Sequence, residues 1–463
     1  MKIVVCIRQG LDGEINPFDA CAYEEALRIK GAEITLLSMA PESARDFLLR
    51  LTRLGARRAV LLSDRAFAGA DTLATAYTLS LAIKKLSPDL IFCGRQTLVG
   101  DTAQTGPMLS VYANASLITN VMSIERIEEK ITCTTRDMGV RSVSLPALLT
   151  VERINTLRLP SIMSRVGKIE VWNAEDVGAD ADRCGLHGSP TRVIRTFENE
   201  GGRRKCVFIQ PSELKSTVAN AIEKGREVPD TVKRSEEKLP HVISVGETPL
   251  EFARTVCDKI TVIDMTDADD IALKIREKSP DAVLWGSDSR SKELSARVSA
   301  MLGLGLCADC TELSVENGRL IMYRPALSGS IIAKIESRTI PAMATVRTVT
   351  ESRDVIIAVG YGARDSLDGL SKMAESMSAE VLSTRKLVDN GYMPYHTQVG
   401  LTGRTVAPPV YVAVGVHGAV HHIAGMQRAK TVIAVNPDRG APIFDYADFG
   451  ILSTAEELLG EWN

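Results

Sequence analysis

The sequence predicts an α/β protein of three doubly wound units with parallel sheets, the first two being pseudo-duplicated copies of a nucleotide-binding-like fold. Three observations predict this fold class. Short apolar runs of strand length alternate with helical patterns, two sequence segments recur in the same order, and a further alternating stretch follows the second copy. A chain of 463 residues is also too long for one ordinary core, so several domains are expected.

Two segments of the sequence are repeated. The segment Ser87–Gly94 recurs as Ser279–Gly286. Further along, Leu145–Val151 recurs as Ile340–Val346 at nearly the same spacing. One such match would be unremarkable, but two in the same order favour a duplicated domain.

Strands and helices alternate in all three units. In the first copy we predict strands at Lys2–Ile7, Glu33–Ser38, Ala59–Leu62 and Asp89–Cys93, with helices at 19–30, 42–54 and 71–86. In the second copy we predict strands at His241–Val245, Ile260–Ile263 and Asp281–Trp285. In the third unit we predict strands at Asp354–Val359, Val410–Val416 and Thr431–Val435, with helices at 366–378 and 418–428. The polar stretch 198–239, broken by Gly and Pro, is predicted to be a connector with a helix at 211–224.

The composition argues against several classes of protein. Lys and Arg number 55 against 58 Asp and Glu, a formal net charge of −3, which argues against a nucleic-acid partner. The sequence contains no long apolar run and its start has no signal-peptide pattern, so we expect no membrane insertion. Nine cysteines without the pattern of a disulfide framework are typical of a reducing, cytoplasmic location.

Two pairs of potential metal or redox ligands are interpreted as structural. Cys307 and Cys310 have the spacing of a redox dithiol or half a zinc site, but no second pair completes four ligands. The pair also does not follow a predicted strand, as a thioredoxin-type motif should. His417 and His421 lie four residues apart, but a metal would need a third ligand, and we predict none there. We therefore predict no metal site.

The loop Gly94–Pro107, after the last predicted strand of the first copy, is suited to a phosphate. Gly100 allows close approach of the backbone to a ligand, and Asp101 or Thr102 is expected to cap the next helix. Free N–H groups and the helix dipole would then face the phosphate. Neutral donors come from Thr102, Gln104 and Thr105. The alternative is a plain capped helix after a glycine turn. The second copy has Ser287–Lys292 in this place and lacks the glycine, so we expect a nucleotide only in the first copy.

The third unit contains a second set of such turns. In 398–408, Gly400 and Gly403 permit close approach of the backbone to a ligand. Side chains expected to meet phosphate there are Thr402 and Arg404. The turn in Val414–His422 opens a helix at the carboxyl end of a strand. Neither loop matches a P-loop or the G-x-G-x-x-G pattern, so the generic signal is weak.

These segments resemble the electron-transfer flavoprotein family. The runs that resemble the FAD domain of its large subunit are Gln398–Gly403, Tyr411–Gly418, Ala424–Met426, Ile433–Asn436 and Ala441–Gly450. The first copy resembles the small (beta) subunit. The second copy resembles the N-terminal domain of the large (alpha) subunit, notably in Gly305–Thr311 and Arg324–Ala326. The resemblance covers essentially the whole chain and implies a natural fusion, small subunit first, of subunits that the family usually keeps on separate chains.

The resemblance implies four segments. They are a small-subunit-like nucleotide-binding domain at 1–197, a connector at 198–239, a domain like the N-terminal part of the large subunit at 240–350, and an FAD-binding domain at 351–463.

By resemblance, FAD is held in the third unit. The residues implied are Thr384, Arg385, Gln398, Val399, Gly400, Leu401, Thr402, His417, Gly418, Ala419, Val420, His421, His422 and Asn436. The charge of Arg385 is expected to favour anionic reduced forms of the flavin. His422 is expected to hydrogen-bond the pyrimidine side of the ring, and Thr402 to touch its N5 side. The protein would thus supply orientation and electrostatics while the flavin supplies the chemistry.

The first domain is expected to hold either AMP or a second FAD. Typical members of the family hold AMP there, whereas electron-bifurcating members hold a second FAD that exchanges hydride with NADH. The segments Gly100–Pro107 and Cys184–Thr191 resemble the bifurcating version more closely, which favours the second FAD. The residues expected around it are Cys6, Asn16, Pro17, Phe18, Asp19, Met39, Gly94, Gln96, Gly100, Asp101, Thr102, Ala103, Gln104 and Thr105.

The sequence therefore predicts a one-chain electron carrier that shuttles electrons through FAD between a dehydrogenase or NADH and a partner redox protein. By resemblance, the donor is an acyl-CoA or other flavin dehydrogenase, and the acceptor is a quinone reductase or a ferredoxin-type protein. NADH-oxidising activity is expected if the chain bifurcates. The segment Arg165–Glu175 falls where the family has its docking loop. The alternatives are a nucleotide-binding sensor of the stress-protein type without a redox role, and a self-contained NADH oxidoreductase, for which we find no acid–base pair.

Overall fold

The computed structural model describes residues 1–97, 100–198, 203–227 and 233–462. Its strands are β1 (Lys2–Cys6), β2 (Glu33–Met39), β3 (Arg58–Leu62), β4 (Leu90–Gly94), β5 (Ser116–Ile127), β6 (Lys130–Thr135), β7 (Val140–Ser144), β8 (Ala147–Val151), β9 (Lys168–Trp172), β10 (Thr191–Glu198), β11 (Val207–Phe208), β12 (Val242–Val245), β13 (Ile260–Ile263), β14 (Ala282–Trp285), β15 (Leu306–Cys310), β16 (Glu312–Glu316), β17 (Arg319–Ala326), β18 (Ile331–Ser337), β19 (Ala342–Val346), β20 (Val355–Val359), β21 (Glu380–Ser383), β22 (Val410–Val414), β23 (Thr431–Val435) and β24 (Phe449–Ile451). Its α-helices are α1 (Pro17–Arg28), α2 (Arg45–Thr52), α3 (Thr72–Leu86), α4 (Thr105–Tyr112), α5 (Leu214–Glu227), α6 (Leu250–Val256), α7 (Ala268–Lys278), α8 (Ser289–Leu302), α9 (Leu367–Ser376), α10 (Arg385–Asp389), α11 (Val420–Met426) and α12 (Ala455–Trp462).

Some residues of the predicted features lie outside the described residues. They are Leu98 and Val99 of the loop Gly94–Pro107, and 199–202 and 228–232 of the predicted connector.

The first copy forms a nine-stranded sheet of order β7-β6-β5-β8-β4-β1-β2-β3-β9. The strands from β5 to β9 in this order pair in parallel. Strands β6 and β7 extend the sheet by antiparallel pairing, which the sequence did not lead us to expect. Because β2 and β4 lie on opposite sides of β1, the sheet changes direction between β1 and β4. A crevice at the carboxyl ends of these two strands is where open α/β sheets bind ligands.

The second copy forms a five-stranded parallel sheet of order β13-β12-β14-β19-β15. Its strand order matches the central strands β2-β1-β4-β8-β5 of the first copy. The register matches too: Leu90 pairs with Ala147 in the first sheet, and Ala282 with Ala342 in the second. These pairs occupy equivalent positions of the repeated segments, so the duplication predicted from the sequence is present in the fold.

The third sheet has six strands in the order β11-β24-β23-β22-β20-β21, all pairing in parallel. Strands β21 and β22 lie on opposite sides of β20, so the change of direction falls between β20 and β22. Part of the stretch predicted as a connector is built into this region. It supplies β11, and α5 contributes the buried side chains of Leu214, Val218 and Ala221 to a core shared with the sheet.

A fourth sheet has the order β10-β18-β17-β16, with β16 and β17 antiparallel. The described residues group into two compact units. The first comprises Met1–Thr196, Val232–Leu327 and Ala333–Val346, and the second comprises Phe197–Thr231, Ser328–Ile332 and Arg347–Asn463. The first unit holds the sheets of both copies, and the second holds the third sheet.

The described part of the chain contains no helix that is both long enough and apolar enough to span a bilayer. Cys307 and Cys310 lie inside β15 and are fully buried. The pair thus lies within a strand and does not follow one, as expected from the sequence. Their place in a buried strand is in keeping with a structural role for both thiols.

Candidate cofactor sites

In the second unit, glycine turns follow the two strands that flank the change of direction. Gly360 follows β20 and packs so closely on the carbonyl of Gly415, after β22, that a Cβ on Gly360 would overlap it. Gly415 and Gly418 both have positive φ angles, of +65° and +99°. These conformations strongly favour glycine. The two turns therefore fit together as backbone on backbone at the crevice of the sheet.

The turn at 398–404 is closed by its own hydrogen bonds. Arg404 N donates to Gln398 O at 2.7 Å, and Gly403 N donates to Gly400 O at 3.1 Å. A Cβ on Gly400 would lie 2.7 Å from His421 O, and one on Gly403 would overlap Gln398 O. Both glycines are thus required for packing of backbone against backbone.

The guanidinium of Arg404, which the sequence led us to expect beside a phosphate, lies against a carboxylate. Its Nη1 lies 2.5 Å from Glu380 Oε1, and its Nη2 donates to Glu351 O at 2.9 Å. The carboxylate of Glu380 pairs with the guanidinium, and the expected contact of Arg404 with phosphate stays a prediction. The sequence could not show this pairing, because the two residues are brought together only by the fold.

Three buried polar atoms of uncharged side chains in this region have no hydrogen-bond partner of good geometry among the described residues. They are Thr384 Oγ1, Gln398 Oε1 and His422 Nδ1. Backbone bonds connect their segments, with Val399 N donating to Ser383 O and Leu401 N donating to His421 O at 2.7 Å. Since a buried polar group without a partner is costly, such atoms call for an explanation. A hydroxyl, an amide oxygen and an imidazole nitrogen together fit a polar heteroaromatic ring such as that of a flavin.

The imidazole of His422 is neutral at physiological pH. Burial lowers the pKa of His422 to about 4, and the backbone of Val399 offsets this effect only in part. Its Nε2 lies 3.0 Å from the hydroxyl oxygen of Tyr411. His422 therefore enters the site as a neutral hydrogen-bonding group rather than as a cation.

Some of the other predicted FAD residues have side-chain contacts, and the rest are described by their position in the fold. Arg385, at the start of α10, pairs with Asp389 at 3.0 Å, and Asn436 donates to Val416 O at 2.9 Å. Thr402 Oγ1 accepts from Gln398 Nε2 at 2.9 Å. The remaining residues lie between β22 and the first turn of α11 or in the turn at 398–404, and they are His417, Gly418, Ala419, Val420, His421, Val399 and Leu401. The fold thus gathers all these residues on the turns after β21 and β22, on the segment 398–402, and at the end of β23.

In the first unit, Asp19 ties together the loops that follow β1 and β4. Its Oδ2 accepts from Arg8 N at 2.8 Å and its Oδ1 from Gly94 N at 3.1 Å. Burial raises the pKa of Asp19 to about 7, against these N–H donors, which lower it. A Cβ on Gly94 would overlap the Asp19 carboxylate, so glycine is needed at this crossing.

The neighbouring side chains form a polar network at the same crevice. Asn16 Nδ2 donates to Gln96 O at 3.0 Å, and Gln96 Nε2 in turn donates to the carboxylate of Asp101. Thr72 Oγ1 donates to Gln104 Oε1 at 2.9 Å. Asn16 Oδ1 and Gln104 Nε2 are buried and have no partner among the described residues. An acceptor and a donor are therefore left over for a ligand.

The remaining residues predicted for this site surround that network. Cys6, Pro17 and Phe18 lie at the end of β1 and the start of α1, and Met39 ends β2. Thr97 Oγ1 accepts from Gly100 N at 3.2 Å, and the other members are Thr102, Ala103 and Thr105. The neighbouring Cys6 thiol, together with burial, raises the pKa of Cys93, so the Cys93 thiol stays protonated.

The predicted cap of the following helix is wrong. Helix α4 begins at Thr105, and Gln104 is its N-cap residue without a side-chain cap. Asp101 and Ala103 instead adopt left-handed φ angles of +51° and +55°. The loop turns twice before the helix starts, so neither Asp101 nor Thr102 reaches the cap position.

Arg324, from the second copy, holds this loop of the first copy. Its Nη2 donates to Gly100 O at 2.9 Å and to Asp101 O at 3.3 Å. The sequence marked Arg324 as a point of resemblance but not as part of a site. Two carbonyls that share one guanidinium keep the left-handed turn in place.

The equivalent loop of the second copy is built differently. Asp288 is the N-cap of α8 and accepts from Ser291 N at 3.0 Å. Its carboxylate satisfies a free N–H at the helix start. The second copy thus has no glycine loop at this place, in agreement with the difference between the two copies in the sequence.

No group of three or more potential metal ligands occurs among the described residues. The geometry defines an α/β protein of parallel sheets, with buried polar atoms that lack partners among the described residues at the crevices of its first and third sheets.

Comparison with known families identifies the class further. The profile of the electron transfer flavoprotein domain matches residues 3–177 and again 209–354. The profile of the electron transfer flavoprotein FAD-binding domain matches residues 350–427. The chain belongs to the electron transfer flavoprotein family. It joins a beta-like half to an alpha-like half that carries the FAD-binding domain, as the sequence predicted.

Curated relatives resemble the first half of the chain. The beta subunit of the electron transfer flavoprotein from Clostridium acetobutylicum is 38% identical over 232 residues, which are 48% of this chain and 89% of the relative. Protein FixA of Azorhizobium caulinodans is 38% identical over 227 residues, 45% of this chain and 81% of the relative. Subunit CarD of the caffeyl-CoA reductase-Etf complex of Acetobacterium woodii is 42% identical over 210 residues, 42% of this chain and 80% of the relative.

Proposed function

We propose that the chain is a one-chain electron carrier that accepts electrons from a dehydrogenase or NADH and passes them through FAD to a partner redox protein. The observation that carries this proposal is the set of buried, unpartnered atoms of Thr384, Gln398 and His422 at the crevice of the third sheet. FAD would supply the electron transfer chemistry when bound. The chain's own residues would bind and orient it, and keep water from the ring.

Within this proposal, the predicted domain division also stands as a proposal. Residues 1–197 would bind a nucleotide, 240–350 would support that site through Arg324, and 351–463 would bind FAD. The stretch 198–239 would join them and complete the third sheet through β11 and α5. Since all nine cysteines are free thiols, we place the protein in a reducing cytoplasm.

For the first domain we propose a second FAD rather than AMP, and with it oxidation of NADH and bifurcation. The loop sequences Gly100–Pro107 and Cys184–Thr191 support this choice. The buried leftover atoms Asn16 Oδ1 and Gln104 Nε2 support a ligand there but suit either nucleotide. AMP is therefore the second candidate.

The cofactor content tests this proposal directly. The full chain should be purified, denatured, and its released flavin and nucleotide separated and counted per chain. We expect two FAD per chain. One FAD with one AMP would support the carrier but not the second flavin. A colourless protein that releases ATP would favour a nucleotide-binding sensor and overturn the proposal.

For partner docking we propose the exposed apolar segment between β8 and β9. The side chains of Leu159, Ile162 and Met163 are 89%, 95% and 87% exposed. The docking segment expected from the sequence, Arg165–Glu175, contains β9, the edge strand that pairs with β3. Its apolar side chain Val171 is only 38% exposed. The segment before the strand is therefore the better candidate. A cluster of exposed apolar side chains marks an interaction site.

Replacing Leu159 and Ile162 together by serine should weaken docking. With an acyl-CoA dehydrogenase and its substrate as the reductant, we expect reduction of the bound flavin to slow at least about tenfold, the size of a hot-spot loss. Flavin content and reduction by dithionite should not change. Val140→Ser, another exposed apolar residue on β7, is the control. Equal rates in all three proteins would place docking elsewhere.

A further inference from the structure

Tyr411 and His422 form an isolated polar pair inside the second unit. Tyr411 lies in the middle of β22 and is 0% exposed, and His422 on α11 is 5% exposed. The tyrosine hydroxyl oxygen lies 3.0 Å from Nε2 of the imidazole. Aliphatic side chains such as Val399 and Ile423 belong to the same buried cluster as the tyrosine. The pair thus sits in an apolar setting, where each missing hydrogen bond is costly.

Counting protons decides which nitrogen of His422 carries the hydrogen. Suppose first that Nε2 carries it and donates to the tyrosine oxygen. The hydroxyl hydrogen of Tyr411 and the lone pair of Nδ1 would then both lack a partner. The backbone of Val399, which raises the pKa of His422, accepts a hydrogen and so cannot serve a lone pair on Nδ1. Suppose instead that Tyr411 donates to Nε2. Only Nδ1–H is then left over. Since each buried unsatisfied group is unfavourable, the second arrangement is the stable one.

We propose that Tyr411 is a positioning residue that donates to Nε2 of His422, fixes the imidazole hydrogen on Nδ1, and so presents Nδ1–H to the FAD. This inference rests on the proposed placement of FAD against His422. A neutral phenol as the partner, rather than a carboxylate, leaves the imidazole uncharged. His422 therefore acts toward the ring as a neutral donor of fixed direction, aimed where negative charge develops.

The tautomer can be observed without any flavin. The full chain, labelled with ¹⁵N in its six histidines, should be stripped of cofactor, and its ring nitrogens correlated with the ring C–H protons by NMR. The His422 signal is identified by its loss in His422→Gln. We expect a protonated Nδ1 and an unprotonated Nε2. A protonated Nε2 would overturn the proposal, whether or not the chain binds FAD.

The variant Tyr411→Phe removes the hydroxyl and keeps the ring. We expect its flavin-free His422 to become a mixture of tautomers, and its affinity for FAD to fall about tenfold, as for one lost hydrogen bond. The matched control is Tyr23→Phe in the first unit, because Tyr23 is equally buried and its hydroxyl donates to Leu51 O at 3.0 Å. That control should leave the His422 signal and the affinity of the FAD-binding domain unchanged.

The outcomes separate the two claims. If the wild type has the expected tautomer but releases no FAD on purification, the proposed function fails and the tautomer assignment stands. If Tyr411→Phe is folded by circular dichroism yet keeps both the wild-type tautomer and the wild-type affinity, Tyr411 does not position His422. If Tyr411→Phe does not fold, the wild-type NMR signal alone decides.

Discussion

Replacing Gly418 with alanine should yield a chain that does not retain FAD. Gly418 has a φ of +99°, where a side chain is strained by about 1–3 kcal/mol. Its new Cβ would overlap Ile443 N and lie 2.7 Å from Ile443 Cα. Ile443 is fully buried and its N–H donates to His417 O at 3.0 Å, so the backbone there has no room to yield. The turn that delivers His421 and His422 to the crevice would be displaced.

The measurement is flavin per chain after gel filtration, together with a thermal melt. Gly460→Ala is the matched control, because Gly460 lies in α12 and no atom lies within 4 Å of an added Cβ. We expect the control to keep its flavin and to gain up to about 1 kcal/mol from helix propensity. Full flavin retention in Gly418→Ala would show that the turn tolerates a side chain at this position.

Replacing Glu152 with glutamine should destabilise the first unit by about 3–5 kcal/mol, the usual cost of breaking a buried ion pair from one side. Glu152 follows β8 and is 0% exposed. Its Oε1 lies 2.5 Å from Arg95 Nη1 and 3.4 Å from Arg136 Nε. The substitution keeps the shape but removes the charge that both guanidinium groups share. Arg95 opens the loop after β4, so that loop should loosen as well.

Hydrogen exchange measured by mass spectrometry reports both effects, with faster exchange in β4, β8 and the loop after β4. The control is Glu170→Gln, whose carboxylate pairs with Arg58 at 3.0 Å at the surface. Because exposed pairs contribute roughly 0–1 kcal/mol, this control should behave as the wild type. Equal exchange in the two variants would mean that the buried network does not hold the loop.

The ten strands that the sequence predicted are all present with nearly the expected bounds, for a physical reason. Strands buried on both faces are continuous apolar runs, and here Pro-Asp and glycine turns bound them, as at 87–94 and 279–286. Eight further parallel strands in the described part of the chain were not predicted, namely β5, β8, β9, β11, β15, β19, β21 and β24. The repeated segments predicted the duplication, and the structure confirms it in the shared strand order and register.

The antiparallel strands were not predicted, although one antiparallel pair has a recognisable turn sequence. Asn317-Gly318 between β16 and β17 is a favoured hairpin turn, and both residues have positive φ angles. Tyr411 could not be found from the sequence, since it looks like one more large residue in a buried strand. The role of its hydroxyl can be recognised only in the fold, where α11 places His422 within hydrogen-bonding distance.

The Asp288 cap is a chemical difference between the two copies of the duplicated module. Where the first copy leaves polar atoms free, the second fills the same corner with its own fixed negative charge. A phosphate that approached there would meet a carboxylate and be repelled. If the first copy binds a nucleotide as proposed, this carboxylate at the start of α8 gives the second copy a reason not to, with no change in the order of the strands.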